Sequence, residues 1–138
     1  MRGRDRLGRP VPAGDPRCVP DVPEQALAPR DALALAQALL DEGRAFGAHE
    51  VLEASWKAAP DGERDLWQGL AQLCVGITHL QRGNTLGASR LLRRAAGRLP
   101  PVPAHGVNPT LATRALRLAD DIDAGRTAVP AVLLVART

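Results

Sequence analysis

The segment His49-Glu50-Val51-Leu52-Glu53 holds the side chains of this sequence best spaced for chemistry. On a helix, residues i and i+4 share a face, so His49 and Glu53 point the same way and Trp56 continues their line one turn on. An imidazole beside a carboxylate suits three tasks: ligating a metal, steering a proton, or satisfying a buried polar network. Glu50 is the candidate proton carrier. Partners for the pair are expected on the next helix, where Gln72 and His79 fall on one strip.

These side chains need helices to carry them, and the composition supplies helices. Of 138 residues, 45% are hydrophobic and 24% charged, but only 2% are aromatic. The core must therefore be built from Leu, Ala and Val, and Ala and Leu head the helix propensity scale. Apolar periodicity predicts helices from about 31 to 42, 46 to 59, 63 to 82, 85 to 99 and 110 to 124. Asp31 is placed to cap the first. In the third, Leu66, Leu70, Leu73, Ile77 and Leu80 form an uninterrupted stripe, ended by Gly83 and followed by Asn84 as the next N-cap. The fold class is all-α: a single compact bundle of about five helices, with the second and third as a central antiparallel pair.

Three regions follow from the punctuation of the chain. Residues 1–29 carry six prolines among Gly and Arg, and this leader reads as disordered. Residues 30–125 form the bundle domain. Residues 126–138 are an apolar tail expected to pack on the bundle or on a partner, so a homo-oligomer stays open. No run approaches the roughly 20 apolar residues of a membrane span, so no membrane is expected as a partner. Cys18 and Cys74 sit in unlike surroundings and form no ligand cluster, which fits a cytoplasmic location.

Gly69, Gly76 and Gly83 recur every seven residues beside Gln72 and His79. A glycine inside a helix costs roughly 1 kcal/mol relative to Ala, so these positions mark a close neighbour. The expected neighbour is the second helix, bringing His49 and Glu53 toward Gln72 or His79. The ordered set Phe46-Gly47-Ala48-His49-Glu50-Val51-Leu52-Glu53, Trp56-Lys57, Gln68 to Leu73 and His79 to Asn84 resembles the domain of unknown function 309, a family of small helical bacterial proteins. The resemblance covers about residues 31–99, with His49, Glu50, Glu53, Trp56, Gly69, Gln72 and Gly83 on the family's marked positions. Ser55 departs from it, standing where the pattern has a larger residue. The resemblance implies a compact helical bundle and no established activity.

Three functions compete for these residues. The leading one is a small-ligand pocket between the second and third helices, lined by the His-Glu-x-x-Glu motif, or a buried network that fixes the helix register. The second is a metal-dependent hydrolase. His-Glu-x-x-Glu differs from the zinc-hydrolase pattern His-Glu-x-x-His by one carboxylate, and His49, Glu53 and His79 would give a divalent metal its three ligands. The third is a protein- or nucleic-acid-binding adaptor using Arg90, Arg93, Arg94 and Arg98, a basic ridge on the fourth helix that Asp120, Asp121 and Asp123 of the fifth are placed to neutralise. Nucleic acid is disfavoured as a partner, because no aromatic residues interleave with the arginines for base stacking and the net charge is only +3.

Overall fold

The computed structural model of the chain describes residues 2–136. Five helices carry the domain: α1 (Pro29–Asp41), α2 (Ala45–Ala58), α3 (Arg64–Gln81), α4 (Thr85–Arg98) and α5 (Leu111–Asp123). A 3-10 turn at Asp61–Glu63 leads into α3. The first helix starts two residues before Asp31, correcting the expected cap. Pro29 occupies the first turn, where its missing N–H is no loss and its fixed φ favours the helix, and Asp31 lies just inside it. The punctuation of α3 and α4 follows the sequence: Gly83 has a φ of 80°, and the Asn84 side chain accepts the Gly87 N–H at 3.0 Å.

Leu33, Leu52, Leu70, Leu73, Leu92, Leu111 and Leu134 are fully buried, and Ala32, Ala36, Ala48, Ala88, Ala95 and Ala115 fill the space between the helices. Small side chains at the contacts let the helix axes approach. The tightest approach is between α3 and α4. A Cβ on Gly76 would lie 2.9 Å from Leu92 Cγ, and one on Gly69 would lie 3.0 Å from Leu99. As Gly69 meets Leu99 and Gly76 meets Leu92, the two helices run antiparallel. The glycine strip is thus the seat of α4 and not of α2, and Gly83 serves only as a helix end, with nothing within 4 Å of its Cβ position.

The helix α2 packs on the other side of α3, and the Gln81 side-chain amide ties their adjacent ends by donating to Gly43 O at 2.9 Å. Cys74 is entirely buried, and burial pushes its thiol up to about 12, so it is a core residue without reactivity. The tail folds back on the bundle. Val132 and Leu134 are buried, and the Gln37 carboxamide donates to Val132 O at 2.9 Å while accepting Leu134 N–H at 2.8 Å. Among the described residues no helix is long and apolar enough to cross a membrane.

The leader departs from expectation. Its prolines exclude helix but leave room for an edge ribbon, and β1 (Arg2–Arg4) pairs antiparallel with β2 (Pro10–Pro12), setting Gly3 opposite Val11. The turn is organised by Asp5, whose buried carboxylate accepts from Leu7 N, Arg9 N and Arg9 Nε at 2.9–3.1 Å. Burial alone would raise its carboxyl; the bonds from Arg9 and Leu7 outweigh it and hold the group below its usual range.

Gly76 and Gly97 separate packing from propensity. Gly76→Ala should destabilise by about 1–2 kcal/mol in urea denaturation, because overpacking against Leu92 exceeds the gain in helix propensity. Gly97 lies in α4 with nothing within 4 Å of its Cβ position, so Gly97→Ala should stabilise by up to about 1 kcal/mol. Equal effects at the two sites would contradict the α3–α4 seat.

Candidate functional site

Helix α2 turns Val51, Leu52 and Ser55 into the bundle, which leaves Phe46, His49, Glu50 and Glu53 on its opposite flank. That flank faces the leader. His49, Glu50 and Glu53 line a cleft of about 260 Å³ closed on the other side by Val22, Pro23 and Glu24. A neighbouring cleft of about 200 Å³ shares Phe46 and Glu50 and is walled by Arg4, Arg44 and Asp21.

His49 Nε2 and Glu53 Oε2 are 2.7 Å apart. An ionised carboxylate can only accept, so the proton of this bond belongs to Nε2. Glu53 is also 2.9 Å from Lys57 Nζ. The Lys57 bond first, and then the His49 bond, hold the Glu53 carboxyl below its usual range against the opposing effect of burial. Because Glu53 is 36% exposed, this is an intrahelical pair near solvent, worth about 0.5 kcal/mol, and no lock between helices. The second ring nitrogen, His49 Nδ1, is buried with no hydrogen-bond partner among the described residues.

Glu50 stands differently. It is half-buried, and among the described residues no donor or cation bonds to its carboxylate. Burial raises its carboxyl above the usual range; the nearby charges of Arg4, His49 and Arg44 pull it back, and Asp21 adds to the rise.

Several expected partners lie elsewhere. The ring of His79 takes its bond from the Asn84 amide at 3.1 Å, just past the C-terminal end of α3. Gln72 keeps a buried Oε1 without a partner among the described residues, and neither residue bonds to His49 or Glu53. Trp56 packs against the apolar core and lines neither cleft. Among the described residues no three His, Cys, Asp or Glu side chains converge as a metal set, so His49, Glu53 and His79 are not assembled into one. The helix periodicity gave the common face of His49 and Glu53, but which element covers that face depends on the leader, which periodicity does not address.

Phe46 is what the sequence reading undervalued. It is the only phenylalanine in the chain, and the leader is built around it. The Arg4 guanidinium lies 4.9 Å from its ring centre and that of Arg82 5.8 Å, on the scale of cation–π contact. Gly8, with a φ of 79°, presses its backbone on the ring so closely that a Cβ there would fall 2.2 Å from Phe46 Cγ. Arg82 also donates through Nε and Nη2 to Leu7 O at 2.9 and 2.6 Å, and Arg44 Nη2 to Pro20 O at 2.7 Å. The His49 ring stands 5.3 Å from Phe46, so the clamp and the dyad are adjacent.

On the basic ridge, Arg93 bonds Asp120 and Asp123 at 3.0 and 2.7 Å, and Arg98 bonds Asp65 at 3.2 Å. Arg90 and Arg94 have no ion pair among the described residues. Asp121 pairs with Arg126.

Residues 33–91 match the model of a family described as a domain of unknown function, DUF309. The match begins in α1 and ends within α4, taking in the α2 face and excluding the leader, α5 and the tail. The uncharacterized protein YpuF of Bacillus subtilis is 46% identical over 48 residues, which are 34% of this chain and 28% of that protein. The chain thus corresponds to well under a third of that relative. No solved structure matches.

Two outcomes follow from this arrangement. Phe46→Ala should release the leader, seen as rapid proteolytic cutting between Asp5 and Pro20 with the helical circular dichroism retained; a leader as resistant as in wild type would remove Phe46 as its anchor. Glu50→Gln should be more stable than wild type at about pH 7 and equal to it at about pH 3.5. The sign follows from the raised carboxyl: ionising it costs more in the fold than in the unfolded chain, so stability is lost as pH rises through the folded value. A Gln variant less stable at neutral pH would refute it.

Proposed function

We propose that the chain is a small-ligand-binding helical bundle whose site lies between α2 and the leader, with His49, Glu50 and Glu53 in its wall. The carrying observation is Glu50, a half-buried carboxylate without a bonded partner among the described residues, beside a cleft of ligand size. A burial that makes a charge costly, with no bond to offset it, is better explained by a ligand than by stability.

The charge of the cleft selects the ligand class. Glu24, Glu50 and Glu53 contribute three carboxylates against the single ammonium of Lys57, which Glu53 already engages. A small organic cation, such as a primary amine or diamine, complements this wall. Its ammonium would sit at Glu50, in reach of the cleft edge formed by His49. Val22, Pro23 and Phe46 supply apolar surface for its carbon chain.

The test is thermal and chemical denaturation with small primary amines and diamines. A ligand at a hundred times its Kd should add about 2.7 kcal/mol to the stability of wild type. Glu50→Gln should lose that increment while retaining its fold. An equal increment in both proteins would assign the effect to general charge screening, and no increment from any amine would sink the proposal.

A further inference from the structure

A second groove lies along α1, lined by no residue of α2 or of the leader. Arg30, Ala34, Gln37, Ala38 and Asp41 recur along one stripe of α1 and, with Leu33, His105 and Val135, line a groove of about 600 Å³. Its floor is apolar: Leu33 is fully buried, and Ala34 and Ala38 present methyl groups on an exposed helix face. Polar groups stand at its ends. Arg30 makes no ion pair among the described residues. Asp41, at the other end, already accepts the Gln37 amide at 2.9 Å.

His105 borders the Arg30 end. Its Nε2 is 2.6 Å from Glu63 Oε1, and its ring stands 5.8 Å from Trp67, whose indole N–H donates to the same carboxylate at 3.3 Å. Short connections make α1, α2 and α3 successively antiparallel, so the start of α1 shares an end of the bundle with Glu63, Trp67 and therefore His105. With the Nε2–H committed to Glu63, Nδ1 of the neutral ring is an acceptor, so His105 walls this end of the groove and gives an anion no donor.

We propose that this groove binds a free, monomeric straight-chain carboxylate, with its head at Arg30 and its chain along Ala34 and Ala38. The argument is charge complementarity joined to length. A guanidinium with no ion pair among the described residues is suited to grip a carboxylate through two parallel bonds. Helix rise puts Arg30 and Ala38 about 12 Å apart, which fits a chain of roughly ten carbons before the groove reaches Asp41. The site is independent of the proposed amine cleft, with which it shares no residue.

Decanoate is the probe, titrated into the full chain by calorimetry and by tryptophan fluorescence, since Trp67 lies against His105. Saturable binding is expected, weakened about tenfold or more in Arg30→Gln, the scale of one lost charge-assisted bond. Ala34→Phe, on an exposed helix position with its fold checked by circular dichroism, should abolish it by filling the groove. Decylammonium, of the same length and opposite charge, should bind far more weakly than decanoate. No saturable response to decanoate would overturn the proposal. So would unchanged affinity in both variants, or decylammonium binding as tightly as decanoate, which would assign the groove to its Asp41 end.

Discussion

The close approach of α3 and α4 governs the rest of the structure. A core with almost no aromatic volume can reach interior density only if helix axes draw together, and Gly69 and Gly76 permit this by leaving Leu99 and Leu92 no Cβ to meet. Once α4 fills that side, α3 has its other side for α2, and α2 turns Val51, Leu52 and Ser55 into the bundle. The polar flank of α2 is then left without a helix to cover it. The leader supplies the missing wall, and a cleft results because an irregular ribbon follows a helix surface less closely than another helix does.

The helices were legible because their signals are local. Leu66 to Leu80 alternate at helical spacing, Gly83 and Asn84 punctuate a tight connection, and Pro29 differs from the Asp31 reading by half a turn. The site was legible only in part. The shared face of His49 and Glu53 follows from their spacing of four, and their 2.7 Å bond is its outcome. The partner across that face was not, because a glycine strip says that something approaches and not what. Gly76 selected α4 through the volume of Leu92, a choice made by tertiary packing. The leader misled for a related reason: six prolines count against helix but not against a ribbon anchored on one aromatic ring. His105, in a loop that helical periodicity does not address, is joined to Glu63 across 42 positions.

The match to the family of unknown function divides the molecule in a way that bears on both sites. Residues 33–91 include the α2 motif and most of the α1 stripe, but neither the leader that closes one cleft nor the His105 loop and tail that border the other. Each site therefore combines one wall inside the matched segment with one wall outside it. The matched walls hold the helices together as well as presenting polar groups, whereas the outer walls are loops and ribbons that can vary without disturbing the Leu core.

The Gln37 carboxamide has a further consequence. By donating to Val132 O and accepting Leu134 N–H, it offers the tail the same donor and acceptor that a neighbouring strand would offer. One side chain stands in for a peptide unit and fixes which tail residues face inward. Because side chains alternate along an extended segment, a slip of one residue would expel Val132 and Leu134 and turn Leu133 toward the core. The spacing from Val132 to Leu134 is thus intolerant of insertion or deletion, while the exposed stretch from Gly125 to Val129 can change length freely.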